Sequence, residues 1–270
     1  MLLVTLGDAL LDVIVRLGEP LAPGADANAT TQTGAGGQAA NVAAWAVELG
    51  AQARTVAKRG ADASGRLVAA ELEARGVELA GPVEGRNGVV VSLVGTDGER
   101  TMASDRGVAT ALVPADLDPA WFACDSLHIS GYALLAAPID EAAVRAVELA
   151  RSHGARISVD LSAWPRIRDY GPVRFRERLE QLQPDVVFAT EAEWEIVGGA
   201  YGLAPTAVVK RGARGLLVLG EERLELPARA GEVVDATGAG DALAAGFLVG
   251  GPELGLDAAA RCVSKPGALP

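Results

Sequence analysis

Asp235-Ala236-Thr237-Gly238-Ala239-Gly240-Asp241 places a carboxylate directly after a turn of small residues. Val233 and Val234 lead into the turn as a short apolar run, and an Ala/Leu-rich segment of helical composition follows. A glycine-rich turn that opens a helix presents unpaired backbone N–H groups, with the positive end of the helix dipole behind them. Such a site suits an anion, most often phosphate. Asp241 repels a bound phosphate unless it has a task beside it, such as accepting a proton from an attacking hydroxyl. A carboxylate at a helix start is also a common N-cap. The segment by itself supports both readings.

A second glycine segment runs from Gly34-Ala-Gly-Gly-Gln-Ala-Ala-Asn41 into a helical stretch that ends at Gly50. Gly36 and Gly37 permit close backbone approach to a ligand, and Asn41 falls in the first turn of the helix. An Asn side chain both donates and accepts, which matches a pair of sugar hydroxyls better than a phosphate. A glycine-rich connection whose Asn pins a loop is the equal alternative. Upstream, Asp8 and Asp12 flank the end of the first apolar run. Asp12 lies inside Leu10-Leu11-Asp12-Val13-Ile14, where a carboxylate must face solvent or find donors, and a polyol supplies donors.

Other chemistries find little support. Gly34-Ala-Gly-Gly-Gln-Ala lacks the third glycine of a dinucleotide fingerprint, and no lysine follows a glycine as a Walker-type loop requires. His128 and His153 are the only histidines and lie apart, which argues against a metal hydrolase. Cys124 and Cys262 are isolated, with neither metal spacing nor a disulfide framework, so a reducing cytoplasm is the expected compartment. A net charge of −11 argues against a nucleic-acid partner. No apolar run is long enough to span a bilayer, and the N-terminus reads as a first strand, not a signal peptide.

Elements that could position these residues alternate in period. Apolar runs at 2–6, 89–94, 126–130, 156–160, 185–189, 206–210 and 215–219 read as strands. Helical stretches from Asp62 to Arg75 and from Asp140 to His153 are stopped by Gly76 and Gly154. Buried strands separated by amphipathic helices imply a mainly parallel sheet covered on both faces. Two regions break the rhythm. Residues 9–33 hold an extended run from Leu11 to Leu17, a Pro/Gly loop and a Thr/Gln-rich stretch. Residues 86–108 hold Val89 to Val94, a turn at Thr96-Asp97-Gly98, then Arg100 to Ser104, which reads as a hairpin. The expected organisation is an α/β core of residues 1–8, 34–85 and 109–270, with 9–33 and 86–108 pairing into a β-rich lid.

Together the two glycine segments resemble the ribokinase family, the PfkB-type carbohydrate kinases. The first matches its sugar-binding signature and the second its Asp-Thr-x-Gly-Ala-Gly-Asp signature, in this order and about two hundred residues apart. The resemblance implies a ribokinase-like three-layer α/β/α sandwich with a small β-sheet lid, and transfer of the γ-phosphoryl of ATP to a hydroxymethyl group. It implies that Asp241 is the base and that backbone amides of Gly238, Ala239, Gly240 and Asp241 form the anion hole. Asp12, Gly36, Gly37, Gln38 and Asn41 fall where the family contacts the sugar. Arg106 sits at the lid exit, either as a solvated charge or as a contact to a substrate anion. Lys210, Gly212 and Gly215 correspond to the strand-turn element that borders the nucleotide. Glu193 matches the last residue of the family's Asn-x-x-Glu motif, which positions Mg²⁺ indirectly; the Asn of that motif is Thr190 here. Asp235 and Thr237 match a monovalent-cation site, K⁺ in ribokinase-like members.

Substrate identity stays open at this level. Gln38 stands where ribokinases commonly have Lys, which weakens the case for ribose. Keto-deoxygluconate and fructose kinases often carry Asp-x-Asn-x-Arg on a central strand. Asp160-Leu-Ser-Ala-Trp164 lacks both later residues, which weakens the case for a sugar acid. A nucleoside acceptor, with Trp45, Tyr132 or Trp164 stacking a base, is the alternative within the family, and a non-catalytic sugar sensor is the alternative outside enzymes. A homodimer through the lid is one arrangement consistent with the resemblance. The tail after Lys265 is short, so reduced closing elements around the adenine and the cation are expected. A carboxylate at a helix N-terminus is expected to stay ionised at neutral pH.

Overall fold

The computed structural model describes residues 1–199 and 202–270. In chain order its elements are β1 Leu2–Leu6, β2 Leu10–Leu17, β3 Ala29–Gly36, α1 Gln38–Glu48, β4 Gln52–Val56, α2 Ala63–Ala74 and β5 Glu78–Ala80. Next come β6 Val89–Val94, β7 Arg100–Asp105, β8 Ser126–Ser130, α3 Ile139–Ser152, β9 Arg156–Asp160, α4 Trp164–Tyr170 and α5 Pro172–Leu182. The chain continues through β10 Val186–Thr190, α6 Glu191–Ile196, β11 Thr206–Lys210, β12 Leu216–Leu219, β13 Arg223–Leu226, α7 Ala239–Gly250 and α8 Pro252–Val263.

The apolar runs become the central strands because both of their faces are covered. All five residues of β8 are buried, as are four of the five in β10. The nine-stranded sheet has the order β13-β12-β11-β10-β9-β8-β1-β4-β5. Every pairing from β11 to β5 is parallel, while β12 and β13 add an antiparallel edge. One core layer packs Phe175, Leu179, Ala142 and Ala146 of α5 and α3 against the sheet. The opposite layer packs Trp45, Leu72, Leu243 and Leu256 of α1, α2, α7 and α8. Among the described residues no helix is long and apolar enough to cross a membrane.

Three strands that periodicity does not mark are present. β4 and β5 extend the sheet beyond β1, and β13 caps its other end. Each is short and mixed in polarity, and each forms because an existing sheet edge offers it hydrogen-bond partners. From β1 the chain builds outward through β4 and β5, then returns to place β8, β9, β10 and β11 on the other side. The order reverses between β1 and β8, and beyond the carboxyl ends of strands at such a point an open α/β sheet leaves a crevice.

A second, smaller sheet has the order β3-β2-β6-β7. The expected hairpin is β6 and β7 in antiparallel register from Val89↔Asp105 to Val94↔Arg100, and β2 joins it by parallel pairing with β6. β3 runs on to Gly36, directly into the glycine segment that begins α1.

The short tail closes onto the body. The Trp45 indole donates to the Ala268 carbonyl at 2.8 Å, and Arg261 and Lys265 stack over its ring at 5.6 and 5.7 Å. Trp45 is therefore core, so it is unavailable to stack a base. Truncating it to Ala is expected to cost about 3–5 kcal/mol, as for other buried aromatics. Urea unfolding of the Trp45→Ala variant checks this; an unchanged midpoint would remove Trp45 from the core and the tail from its anchor.

Candidate active site

Two helices point their N-termini at one place. α1 begins after Gly37, whose positive φ of 96° is one that glycine adopts freely; a Cβ there would lie 2.4 Å from the Asp8 carbonyl. α7 begins after Gly238, with φ of 77°, where a Cβ would meet Ala268 of the tail at 2.6 Å. The two helices pack side by side. Their first turns are joined by one bond across 200 residues of sequence: Asn41 Nδ2 donates to Asp241 Oδ2 at 2.8 Å. Asn41 Oδ1 is buried and has no partner among the described residues. A buried acceptor left open in this way is a place for a ligand donor.

The first i→i−4 bond of α7 runs from Ala242 N–H to the Gly238 carbonyl, so the N–H groups of Gly240 and Asp241 lie ahead of it. Asp241 is not simply an N-cap, because its carboxylate is spent on Asn41 and the cap position is Gly238. Its ionisation also departs from expectation. Burial pushes its pKa up to about 7, the Asn41 bond and Lys210 pulling down while Asp160 and Asp12 push up. The helix dipole does not keep this half-buried carboxyl in the ordinary range, because loss of solvent around it outweighs the dipole.

Beneath the turn lies an ion pair that sequence reasoning did not assemble. Lys210 Nζ donates to both carboxylate oxygens of Asp160, at 2.8 and 2.7 Å. A Cβ on Gly240 would lie 3.2 Å from that ammonium, so the lysine sits against the floor of the turn. Burial works against its charge, but Asp160 and Glu193 outweigh it and hold Lys210 above its ordinary range. Parallel register makes this meeting possible: β9, β10 and β11 end side by side, with Asp160 opposite Phe188 and Lys210 opposite Thr190. Thr190 and Glu193 form a reciprocal capping box at α6, with Thr190 N–H donating to Glu193 Oε2 at 2.7 Å. Burial raises the Glu193 pKa, and Lys210 opposes that rise.

At the reversal of strand order, Gln38 Oε1 accepts from the Ser130 hydroxyl at 2.5 Å and the Ser162 hydroxyl at 2.6 Å. Ser162 holds a left-handed φ of 82°, uncommon for a residue with a side chain and in keeping with a site under constraint. Asp12 packs on Gly36, where a Cβ would lie 2.1 Å from its carboxylate; burial raises its pKa to about 6, against the pull of Arg100. Arg106 is not a free solvated charge. Its Nε and Nη2 form a two-pronged pair with Asp8, both bonds 2.7 Å.

Two cavities flank these groups. One, about 580 Å³, is lined by Lys210, Gly212, Gly215, Ala239, Gly240 and apolar side chains of α7 and α8, including Leu243 and Leu256. The other, about 680 Å³, is lined by Arg106, Thr110, Tyr132, Tyr170 and Arg166 of α4. Asp241 lines neither cavity itself: its neighbour Gly240 lines the first, and its charge acts on Tyr132, which lines the second. Arg166, two residues after Trp164, lines this second cavity. Thr190, Glu193 and Thr237 do not line the first cavity. His128 is a fully buried core residue bonded to Ser158, its pKa lowered by burial to about 4.

The chain is similar to several known kinases. The ATP-dependent ribose-1-phosphate kinase of Halopiger xanaduensis is 33% identical over 251 residues, covering 88% of this chain and 80% of that protein. Fructokinase-1 of Oryza sativa subsp. japonica is 32% identical over 237 residues, covering 79% and 72%. The crystal structure of adenosine kinase from Sinorhizobium meliloti superposes with a TM-score of 0.88 at 26% identity, covering 99% of this chain and 95% of that one. The profile described as pfkB family carbohydrate kinase matches residues 1–269, and this chain belongs to that family.

Proposed function

We propose that this protein is an ATP-dependent kinase that phosphorylates a hydroxymethyl group of a carbohydrate, with Asp241 as the base. The observation that carries the reading is the Asn41–Asp241 bond beside the unpartnered Asn41 Oδ1. An acceptor hydroxyl donating to that side chain's oxygen is held next to the carboxylate that takes its proton. Asp12 and Gln38 hold further hydroxyls; the amide of Gln38, already anchored through its oxygen, presents its NH₂ group as donor.

The nucleotide belongs in the cavity bounded by Lys210, Gly212, Gly215 and Gly240, whose apolar wall suits a purine and whose floor meets the turn at 238–241. When bound, ATP with Mg²⁺ supplies the transferable phosphoryl group and neutralises its charge. The N–H groups at 238–241 and the Lys210 ammonium beneath them stabilise negative charge where the phosphoryl passes. Among the described residues no cluster of three or more acidic, His or Cys side chains forms a metal cage. That fits a metal carried mainly on phosphate, with Glu193 acting indirectly. The base is poised near neutrality, where proton acceptance is most effective.

The acceptor lies on the Arg106 and Tyr132 side. Arg166 keeps sugar acids among the acceptors that cavity suits, and Tyr132 is the aromatic placed to meet a nucleoside base. Strand β7 is exposed along its length and unpaired on its outer edge, an edge onto which a second lid can add. Coupled ADP formation with pentoses, hexoses, keto-sugar acids and nucleosides identifies the acceptor; no ADP with any of them would favour a sensor.

Asp241→Asn is expected to fold and to lose on the order of 10²–10⁴ in turnover. Its stability should also change with a definite sign. A carboxyl with folded pKa near 7 and an ordinary value of 3.8 when unfolded stabilises the fold while protonated, and loses that contribution as pH rises from about 4 to 7. Above pH 7 the Asn variant should therefore melt no lower than the parent. A lower melting temperature at pH 8, or retained turnover, would contradict the assignment.

Wild-type kcat/KM should rise with pH through about 7 as the base deprotonates. Asn41→Ala removes a bond that lowers this pKa, so its profile should move to higher pH. The same variant should raise KM for the acceptor far more than KM for ATP. An unmoved profile with equal effects on both substrates would detach Asn41 from base and acceptor alike.

A further inference from the structure

The loop leading into α7 carries a carboxylate whose partners are all donors. Asp235 Oδ1 accepts from the Thr237 backbone N–H at 2.9 Å and from the Thr237 hydroxyl at 2.5 Å. Its Oδ2 accepts from Gly267 N–H at 3.2 Å and from the Arg16 guanidinium at 3.4 Å. The Thr237 hydroxyl in turn accepts from Arg100. Arg16 stands on β2 and Arg100 on β7, both strands of the lid sheet.

A monovalent cation needs oxygen lone pairs turned toward it, and this loop does not fit that need. Two N–H groups, a hydroxyl and a guanidinium already occupy the carboxylate, and the tail presents Gly267 N–H to it where a cation would want a carbonyl. An added cation would meet the charge of Arg16 at the carboxylate and of Arg100 at Thr237. Asp235 ionises below the ordinary carboxylate range although burial opposes this, because the Thr237 and Gly267 bonds and the Arg100 charge outweigh burial.

We propose that Arg16 and Arg100 of the lid replace the monovalent cation at the 235–237 loop, so that the phosphate-side turn is ordered by the lid itself and not by potassium. One consequence concerns coupling. Asp235 and Thr237 run directly into Gly238, so any movement of the lid that breaks these two bonds also loosens the turn at 238–241. The reading of that turn as the phosphoryl site comes from the proposed function; the absence of a cation requirement does not depend on it.

The test compares melting temperatures in KCl, NaCl and N-methylglucamine chloride at equal ionic strength, with and without ATP. Wild-type protein should melt at the same temperature in all three and show the same ATP-induced rise. A potassium-specific increase in either quantity overturns the proposal. The Arg16→Met/Arg100→Met variant should weaken ATP binding about tenfold, the scale of one lost charge-assisted bond, and so shrink the ATP-induced rise. A double variant that binds ATP as wild type does also overturns it. If the double variant does not fold, the single Arg100→Met variant, which removes that charge and its bond to Thr237, should weaken ATP binding, and unaltered binding there counts against the proposal. None of these readouts uses turnover, so a missing sugar acceptor would refute the kinase reading and leave this one standing.

Discussion

A half-buried carboxylate where two helix N-termini meet is the constraint on which the rest of this structure depends. Asp241 is held by one hydrogen bond from Asn41, and its charge is opposed by burial and by Asp160 and Asp12. Such a group persists only where the surroundings compensate for it. Lys210 is the compensation: it is buried beneath the turn, clasped by Asp160 and close enough to Gly240 to lend its charge to anything bound above. Removing the lysine would leave Asp160, Glu193 and Asp241 as three neighbouring acids without a counter-charge.

The architecture follows from the need to bring these groups together and keep water out. Parallel strands carry Asp160 opposite Phe188 and Lys210 two residues farther on, opposite Thr190, so the long lysine side chain reaches back to the carboxylate. The reversal of strand order between β1 and β8 opens the crevice where Gln38 reaches Ser130 and Ser162. Glycines matter here as close approaches. Gly36 gives its side-chain space to Asp12, and Gly37 lets the start of α1 lie against the Asp8 backbone. The smaller sheet is tied to the body through Arg106–Asp8 at the end of β7 and through Arg16 and Arg100 at the 235–237 loop.

Charge is arranged against the overall balance. The chain carries a net −11, yet five of its 24 lysines and arginines stand about the proposed site: Lys210 under the turn, Arg106 and Arg166 on the wall of one cavity, and Arg16 and Arg100 on the smaller sheet. Asp8, Asp160 and Asp235 accept from three of these cations, so the charge at the proposed site is paired and directional and not a bare positive patch. Because each of these arginines except Arg166 is paired with an acid or a hydroxyl, the field is fixed in direction before ligand arrives, which is what preorganisation requires.

Much of this was legible in the residues alone. The continuous apolar runs of β8 to β11 had to be buried strands, the helix stops at Gly76 and Gly154 lie at the ends of α2 and α3, and the two glycine segments open α1 and α7, whose first turns meet at Asn41 and Asp241. Local rules reach that far because each concerns neighbours in the chain. They did not find β4, β5 or β13, which owe their form to a sheet edge supplied by distant strands. Nor did they find the pairs Asn41–Asp241, Asp160–Lys210, Asp8–Arg106 or Arg16–Asp235, whose members lie 200, 50, 98 and 219 residues apart. Sequence determined which groups could do chemistry; only the tertiary structure decided their ionisation and partners, because both depend on which solvent is removed and which charge takes its place.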